Sequence, residues 1–209
     1  MKTLVINLSH RRDRIEKFKQ NNAEFISYDV LKAVDGYKLE YAELQKMGFD
    51  TDHDWIDPIL NTPLTKGEVG CFLSHWKAWK QCIKLNEPIL VLEDDAIVTE
   101  DFSYDELYKL RRQGYNFVYL GWKEMEESIP INDKYVKPVY PYWGLAYVIT
   151  PESAKILTKG KPKIIPVDEY LPQMIEKLNV VAYRENVIIP RDRKDGGSNI
   201  NPTSRYDYF

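Results

Sequence analysis

A chain of 209 residues has the length of one domain of ordinary size and can bury a substantial core. With 44% hydrophobic and 29% charged residues it has the make-up of a folded globular protein, which excludes extended disorder except in the last fifteen or so residues. A formal charge of -3 gives no general attraction to polyphosphate, so duplex nucleic acid is not the expected partner without a local basic patch.

The opening Met1-Lys2-Thr3-Leu4-Val5-Ile6-Asn7-Leu8 is too short an apolar run for an export signal, and Arg11, Arg12 and Arg14 follow at once. It reads as a first strand over 3–8. A helix is expected over 11–20 and a strand over 24–28, the alternation of an α/β sheet. Residues 39–47 read as a short helix stopped by Gly48, and 50–62 as a surface loop. Thr65 with Glu68 three residues later forms a capping box that opens a long helix over 66–85, closed by Asn86 and Pro88. Cys71 and Cys82 lie in that helix on different turns, which predicts unbridged thiols and a reducing compartment.

The run 88–93 is nearly all apolar and ends in acids, as expected of a buried parallel strand whose carboxyl end delivers side chains to a crevice. Beyond it the pattern predicts a helix over 104–112, a strand over 116–120, a strand over 145–149, a helix over 152–159, a helix over 167–178 and a strand over 180–184. No segment has the roughly 20 apolar residues that span a bilayer, so any membrane contact is expected to be peripheral. The expected fold is a single three-layer α/β/α domain with a mostly parallel sheet. Residues 1–120 form its first half, 121–190 its second half and 191–209 a flexible tail.

Glu93-Asp94-Asp95 is the most informative triplet. Carboxylates grouped at a strand end supply hard oxygen ligands for Mn²⁺ or Mg²⁺ beside a diphosphate, where negative charge grows as a nucleotide departs. Glu93 and Asp95 are assigned to the metal and Asp94 to the donor. Asn7 at the first strand's end could hydrogen-bond a nucleotide, and Arg11 and Arg14 either contact the donor or solvate a helix face. Glu68, Cys71 and His75 share one helical face by their spacings of three and four.

Four ordered blocks carry a family resemblance: Val5-Ile6-Asn7-Leu8 with Arg11 and Asp13-Arg14; Ala33-Val34-Asp35-Gly36; Gly67-Glu68-Val69-Gly70-Cys71-Phe72-Leu73-Ser74-His75; and Leu92-Glu93-Asp94-Asp95-Ala96. The chain resembles glycosyltransferase family 25, which includes bacterial lipooligosaccharide and collagen hydroxylysine galactosyltransferases. Gly144 with Ala146-Tyr147-Val148-Ile149 and Asp168-Glu169 extend the likeness more weakly. The resemblance implies a GT-A-type fold, a UDP-sugar donor, a divalent cation and inversion at the anomeric carbon. It places Asp35 near the donor's uridine and adds Ser74 and His75 to the donor site, where Glu68 could project from the helical face it shares with His75; residues 1–120 then serve as the nucleotide-sugar and metal half and 121–190 as the acceptor half.

An inverting transfer needs a base for the acceptor hydroxyl, and Asp168, with Glu169 in reserve, opens a helix after Pro166. Tyr142, Trp143 and Gly144 are candidates to stack on an acceptor sugar. The segment with Arg191, Arg193, Asp195, Ser198 and Asn199 reads either as a lid over the diphosphate or as a frayed terminus. No histidine follows His75, so Asp195, Asn199 or water is left to complete the metal's ligands.

The expected reaction is hexosyl transfer, of galactose or glucose, to a glycan, a lipopolysaccharide or a hydroxylysine, in a cytoplasmic enzyme of bacterial or viral origin. Hydroxylated nucleic-acid bases as acceptors and a non-catalytic nucleotide-sugar-binding module are the alternatives. A sugar-nucleotide pyrophosphorylase would carry a Gly-rich phosphate loop after the first strand, and none is present.

Overall fold

The computed structural model describes residues 1–51, 54–57 and 61–192. The chain opens with strand β1 (Lys2–Asn7), helix α1 (Arg12–Asn22), β2 (Asp29–Lys32), a short 3₁₀ turn (Gly36–Lys38), α2 (Tyr41–Lys46) and β3 (Asp50–Thr51). The long helix α3 (Lys66–Leu85) leads into β4 (Ile89–Glu93), β5 (Ala96–Val98), α4 (Tyr104–Arg112), β6 (Phe117–Glu124), β7 (Ile129–Pro130), β8 (Tyr135–Lys137) and β9 (Pro141–Ile149). The remainder is α5 (Pro151–Leu157), β10 (Lys163–Ile164), α6 (Val167–Met174), β11 (Val180–Tyr183) and β12 (Ile188–Pro190).

Eight strands form one sheet in the order β2-β1-β4-β9-β6-β11-β8-β7. From the pairings, β2, β1, β4, β6, β11 and β7 run one way, and β9 and β8 run against them. The sheet is covered on both faces, which gives the three-layer α/β/α arrangement expected from the alternation of strands and helices. Period-two alternation sorts the core: Ile89, Val91, Tyr147 and Ile149 pack with α3, α5 and α6, while Leu90, Leu92, Ala146 and Val148 pack with α1 and α4. Burial on both faces explains why β4 reads as a continuous apolar run.

Helix α3 starts and stops where its sequence says. The Thr65 side chain accepts from Glu68 N, the Glu68 carboxylate accepts from Thr65 N, and Asn86 takes the left-handed conformation with φ of 53° at the far end. Both cysteines are free.

Several boundaries differ from the pattern. The stretch 24–28 is not a strand: Phe25 N and Ile26 N both donate to Asn22 O, which extends α1 into a turn, and the strand begins at Asp29. The strand expected over 145–149 begins at Pro141, so the aromatic segment 140–143 belongs largely to β9 rather than to a loop. α6 ends at Met174 and tightens into a 3₁₀ turn, Ile175–Lys177. The strands β3, β5, β7, β8, β10 and β12 are two or three residues long and carry no periodicity that sequence could reveal.

Candidate active site at the carboxyl edge of the sheet

β1 and β4 are parallel neighbours with Ile6 opposite Glu93, so both strands deliver their ends to one edge. After Glu93 the chain turns through Asp94 and Asp95 into β5. That turn is anchored from two sides. Buried Asn22 donates to Ala96 O at 3.0 Å and accepts from Val98 N at 2.7 Å. On the other flank β12 pairs antiparallel with β5, bringing Arg191 N to Asp95 O at 2.8 Å.

The three acids have different partners. Asp94 is gripped on both oxygens: Asn7 Nδ2 donates to Oδ2 at 2.6 Å and Arg14 Nε to Oδ1 at 2.6 Å. Arg14, only 7% exposed, also reaches Asp95 Oδ2 with Nη2 at 3.1 Å. Asp95 Oδ1 is buried and has no hydrogen-bond partner among the described residues. Burial, and then the charges of Asp95 and Asp94, hold the Glu93 carboxyl well above the usual carboxylate range, with Arg14 opposing. Burial also raises Asp94 against the pull of Arg14 and Asn7. Three carboxyl groups therefore crowd this edge, and Arg14 is the cation paired with two of them.

Arg11, Arg14 and Asp35, Ser74 and His75 from α3, and Glu93, Asp94 and Asp95 line a single cleft. The wall formed by the segment after β2 approaches α3 with backbone touching backbone. A Cβ on Gly36 would sit 1.7 Å from Lys66 O, and one on Gly70 would sit 2.7 Å from both Gly36 N and Val34 O. Two glycines are therefore required at this crossing. Ser74 locks it, donating to Gly70 O at 2.6 Å and accepting from Val34 N at 2.8 Å. Asp35 accepts from Tyr37 N through Oδ1, while Lys38 Nζ and His10 Nδ1 lie 3.3 and 3.7 Å from Oδ2.

One turn apart on α3, Cys71 and His75 face Glu93; their sulfur, ring nitrogen and carboxylate oxygen lie within 4.8 Å of one another. His75 is fully buried, which lowers its pKa to about 4 and keeps the imidazole neutral at pH 7. Burial, then the Glu93 charge, pushes the Cys71 thiol up.

Asp168 comes to the same side through a bulge in β9. Between the Gly121–Ala146 and Lys123–Tyr142 pairs, β9 spends four residues against two, and Trp143 adopts a φ of 77°. The bulge turns Gly144 N to Asp168 Oδ1 at 2.8 Å. This is the one hydrogen bond of Asp168 among the described residues, and the other oxygen stays uncommitted. Burial first, then Glu93, lifts Asp168 to about 7, opposed by the Gly144 bond.

Other expected residues are employed differently. Asn7 gives its amide to Asp94 and to Arg11 O, so its contribution is to the acid turn. Arg11 pairs with Asp13 at the cleft rim. Glu68 is committed to the Thr65 cap, with burial raising its carboxyl. Glu169 accepts from Tyr140 OH. Burial, then the Asp168 charge, raises the Tyr142 hydroxyl, whereas Trp143 packs against the opposite core with α1 and α4, so the two aromatics do not form one platform. Nε and Nη2 of Arg191 are buried with no hydrogen-bond partner among the described residues. Arg193, Asp195, Ser198 and Asn199 lie outside the described residues. His10 and Tyr37 also line the cleft, and in the sequence only their nearness to Arg11 and Asp35 hints at it.

The profile described as glycosyltransferase family 25 (LPS biosynthesis protein) matches residues 1–138. The chain belongs to glycosyltransferase family 25. Among curated relatives it is similar to procollagen galactosyltransferase 1-A of Xenopus laevis, 35% identical over 90% of this chain and 33% of that protein. Human procollagen galactosyltransferase 2 is 36% identical over 87% of this chain and 31% of that protein. A glycosyltransferase 25 family member of Anopheles gambiae is 38% identical over 82% of this chain and 31% of that protein. The chain spans about a third of the length of these relatives. Among solved structures, a UDP-glucose pyrophosphorylase complexed with UDP-glucose aligns with a TM-score of 0.48 at 11% identity, covering 89% of this chain and 91% of that one. No described helix is long and apolar enough to cross a membrane.

Proposed function

We propose that this family 25 glycosyltransferase transfers a hexose, galactose first and glucose second, from a UDP-sugar to an acceptor hydroxyl, with inversion and with a divalent cation. The observation that carries the reading is the crowding of three carboxyl groups at the acid turn, one oxygen of which has no partner among the described residues, opposite a carboxyl suited to act as a base. Asp95 Oδ1 is buried without a partner among the described residues, and burial, then the charges of Asp95 and Asp94, hold the Glu93 carboxyl protonation-prone. These hard oxygens fit Mn²⁺ or Mg²⁺, so Glu93 and Asp95 would hold the ion. When bound, it supplies positive charge where the departing diphosphate gathers negative charge.

The remaining work falls to the chain's own groups. Arg14 and Asn7 fix Asp94 and so set the shape of the acid turn. Asp35, on the wall against α3, faces the donor's nucleoside, and Arg11 its phosphates. Arg191, with two buried nitrogens lacking partners among the described residues, is a further cation for the diphosphate. Asp168 takes the proton of the acceptor hydroxyl: Gly144 N orients one oxygen, the other is uncommitted, and a pKa of about 7 suits a base working at neutral pH. Tyr142, beside Asp168, contributes to the acceptor side.

The acceptor is a hydroxyl on a glycan, a lipopolysaccharide or a hydroxylysine. The galactosyltransferase names of the relatives support galactose, and "procollagen" in those names supports a protein-borne hydroxyl. The test is a panel of UDP-sugars incubated with Mn²⁺, following UDP release and product mass with each acceptor class. Turnover of one UDP-hexose that stops on chelation supports the reading. Nucleotide binding without turnover on any acceptor, or turnover indifferent to chelation, rejects it.

A further inference from the structure

Tyr147 is fully buried, and its hydroxyl has two partners among the described residues: Trp79 Nε1 at 2.8 Å and His75 Nδ1 at 2.8 Å. An indole nitrogen can only donate, so the hydroxyl oxygen accepts from Trp79. Among the described residues the hydroxyl's own proton then has one acceptor, the imidazole Nδ1. Were Nδ1 protonated, the hydroxyl would accept twice, and its proton would be stranded among Trp79, His75 and Tyr147, each 0% exposed. A neutral imidazole with a bare Nδ1 carries its hydrogen on Nε2, and Nε2 lies 3.3 Å from Glu93 Oε1. His75 is the one hydrogen-bond partner of Glu93 among the described residues. Gly144 leaves space for that ring edge, because a Cβ there would stand 3.2 Å from His75 Cε1 and 3.3 Å from Nε2.

We propose that Trp79, Tyr147 and His75 form a one-way hydrogen-bond relay that ends in an N–H donated to Glu93, making His75 a positioning residue for that carboxylate. The relay runs from the middle of α3 through β9 and back to α3 before reaching β4, so it ties the carboxylate on β4 to two further packed elements. It also decides between two readings of the Cys71, His75 and Glu93 cluster. That trio has the residue types of a zinc site, but ligation through Nε2 needs the lone pair that the relay assigns to hydrogen. His75 is accordingly neither a metal ligand nor an acceptor for the nucleotide. The role given to Glu93 rests on the metal-dependent reading above; the direction of the relay does not.

The first measurement needs no variant and no activity. In ¹⁵N-histidine-labelled, metal-free protein, long-range proton–nitrogen correlation should report His75 as the Nε2–H tautomer, with Nδ1 unprotonated and hydrogen-bonded. An Nδ1–H tautomer or an imidazolium at pH 7 overturns the proposal. Trp79→Phe and Tyr147→Phe, each checked for fold by circular dichroism, should release the ring to a mixture of tautomers; a ring still fixed as Nε2–H in both would also overturn it.

For the consequence at Glu93, Mn²⁺ binding is read by calorimetry. His75→Ala should weaken it about 10–100-fold, the usual effect of losing a group that orients a metal ligand. His75→Gln, which retains a nitrogen donor near the Nε2 position, should restore most of the affinity. Failure of that rescue, or tight Zn²⁺ binding lost in Cys71→Ser, counts against the relay. If no Mn²⁺ binds even to the native chain while His75 is the Nε2–H tautomer, the metal reading falls and the relay stands.

Discussion

Replacing Gly70 with alanine tests whether the cleft wall is built on backbone contact. In an exposed helix this change gains about 1 kcal/mol, because glycine is the poorer helix former. Here the added Cβ would lie 2.7 Å from Gly36 N and from Val34 O and 3.1 Å from Gly36 Cα. The shortest of these falls about 0.8 Å inside an ordinary contact of about 3.5 Å. All three atoms are backbone, so no rotamer change relieves the overlap and the segment after β2 must move off α3. Overpacking of this kind costs about 1–3 kcal/mol. Disturbing the 2.8 Å bond from Val34 N to Ser74 Oγ adds about 1 kcal/mol. Set against the helix gain, the net expectation is a loss of about 1–3 kcal/mol. For a chain of this size each kcal/mol lowers Tm by about 2–4 °C. Urea titration followed by tryptophan fluorescence measures the stability, and calorimetric titration with UDP should show weaker binding because the displaced segment carries Asp35. An alanine variant as stable as the native protein, or more stable, would refute the claim that the wall depends on this approach.

Arg14→Met should destabilise the protein by about 3–5 kcal/mol near neutral pH, since it removes the buried cation bound to Asp94 and Asp95; denaturant titration checks it. Asp168→Asn should lower kcat about 10²–10⁴-fold, the usual worth of a positioned base, and kcat/KM of the native enzyme should rise with pH through about 7. In stability the same substitution has the opposite sign. The folded pKa of Asp168 lies above the unfolded value of 3.8, so the native state binds the proton more tightly, and its stability falls as pH rises from about 4 to about 7. Metal-free Asp168→Asn should therefore be more stable than the native protein at pH 8, by about 1–3 kcal/mol after allowance for partial solvation, with the gain vanishing toward pH 4. Thermal melts across that range would contradict the assignment if the two proteins run parallel. UDP with Mn²⁺ at about a hundred times Kd should stabilise the native chain by about 2.7 kcal/mol, and Asp95→Asn or EDTA should remove most of that shift in a thermal melt.

The sequence by itself determined the elements whose signals are local. Thr65 and Glu68 mark the start of α3, and Asn86 with Pro88 marks its end, because a cap is a hydrogen-bond pattern within a few residues. The apolar run of β4 ending in Glu93-Asp94-Asp95 announced a buried strand with acids at its tip, because a strand covered on both faces needs apolar side chains throughout. The family blocks marked Asp35, Ser74 and His75 as members of one site, and all three line the cleft.

Tertiary structure decided what each of those residues is free to do. Nothing local to Asn7 foretells that its amide is given to Asp94, 87 positions away, or that Arg14 also closes on that carboxylate. The bulge that hands Gly144 N to Asp168 arises from a mismatch between β9 and β6, and Trp143 turns to the opposite core as a result. β5 and β12 are three residues each and exist only because they pair, yet that pairing brings Arg191 beside the acid turn. Local sequence encodes the elements through near-neighbour hydrogen bonds and periodic burial. Charge balance, hydrogen-bond direction and the vacancy of a single carboxylate oxygen depend on groups that meet only after the chain has packed.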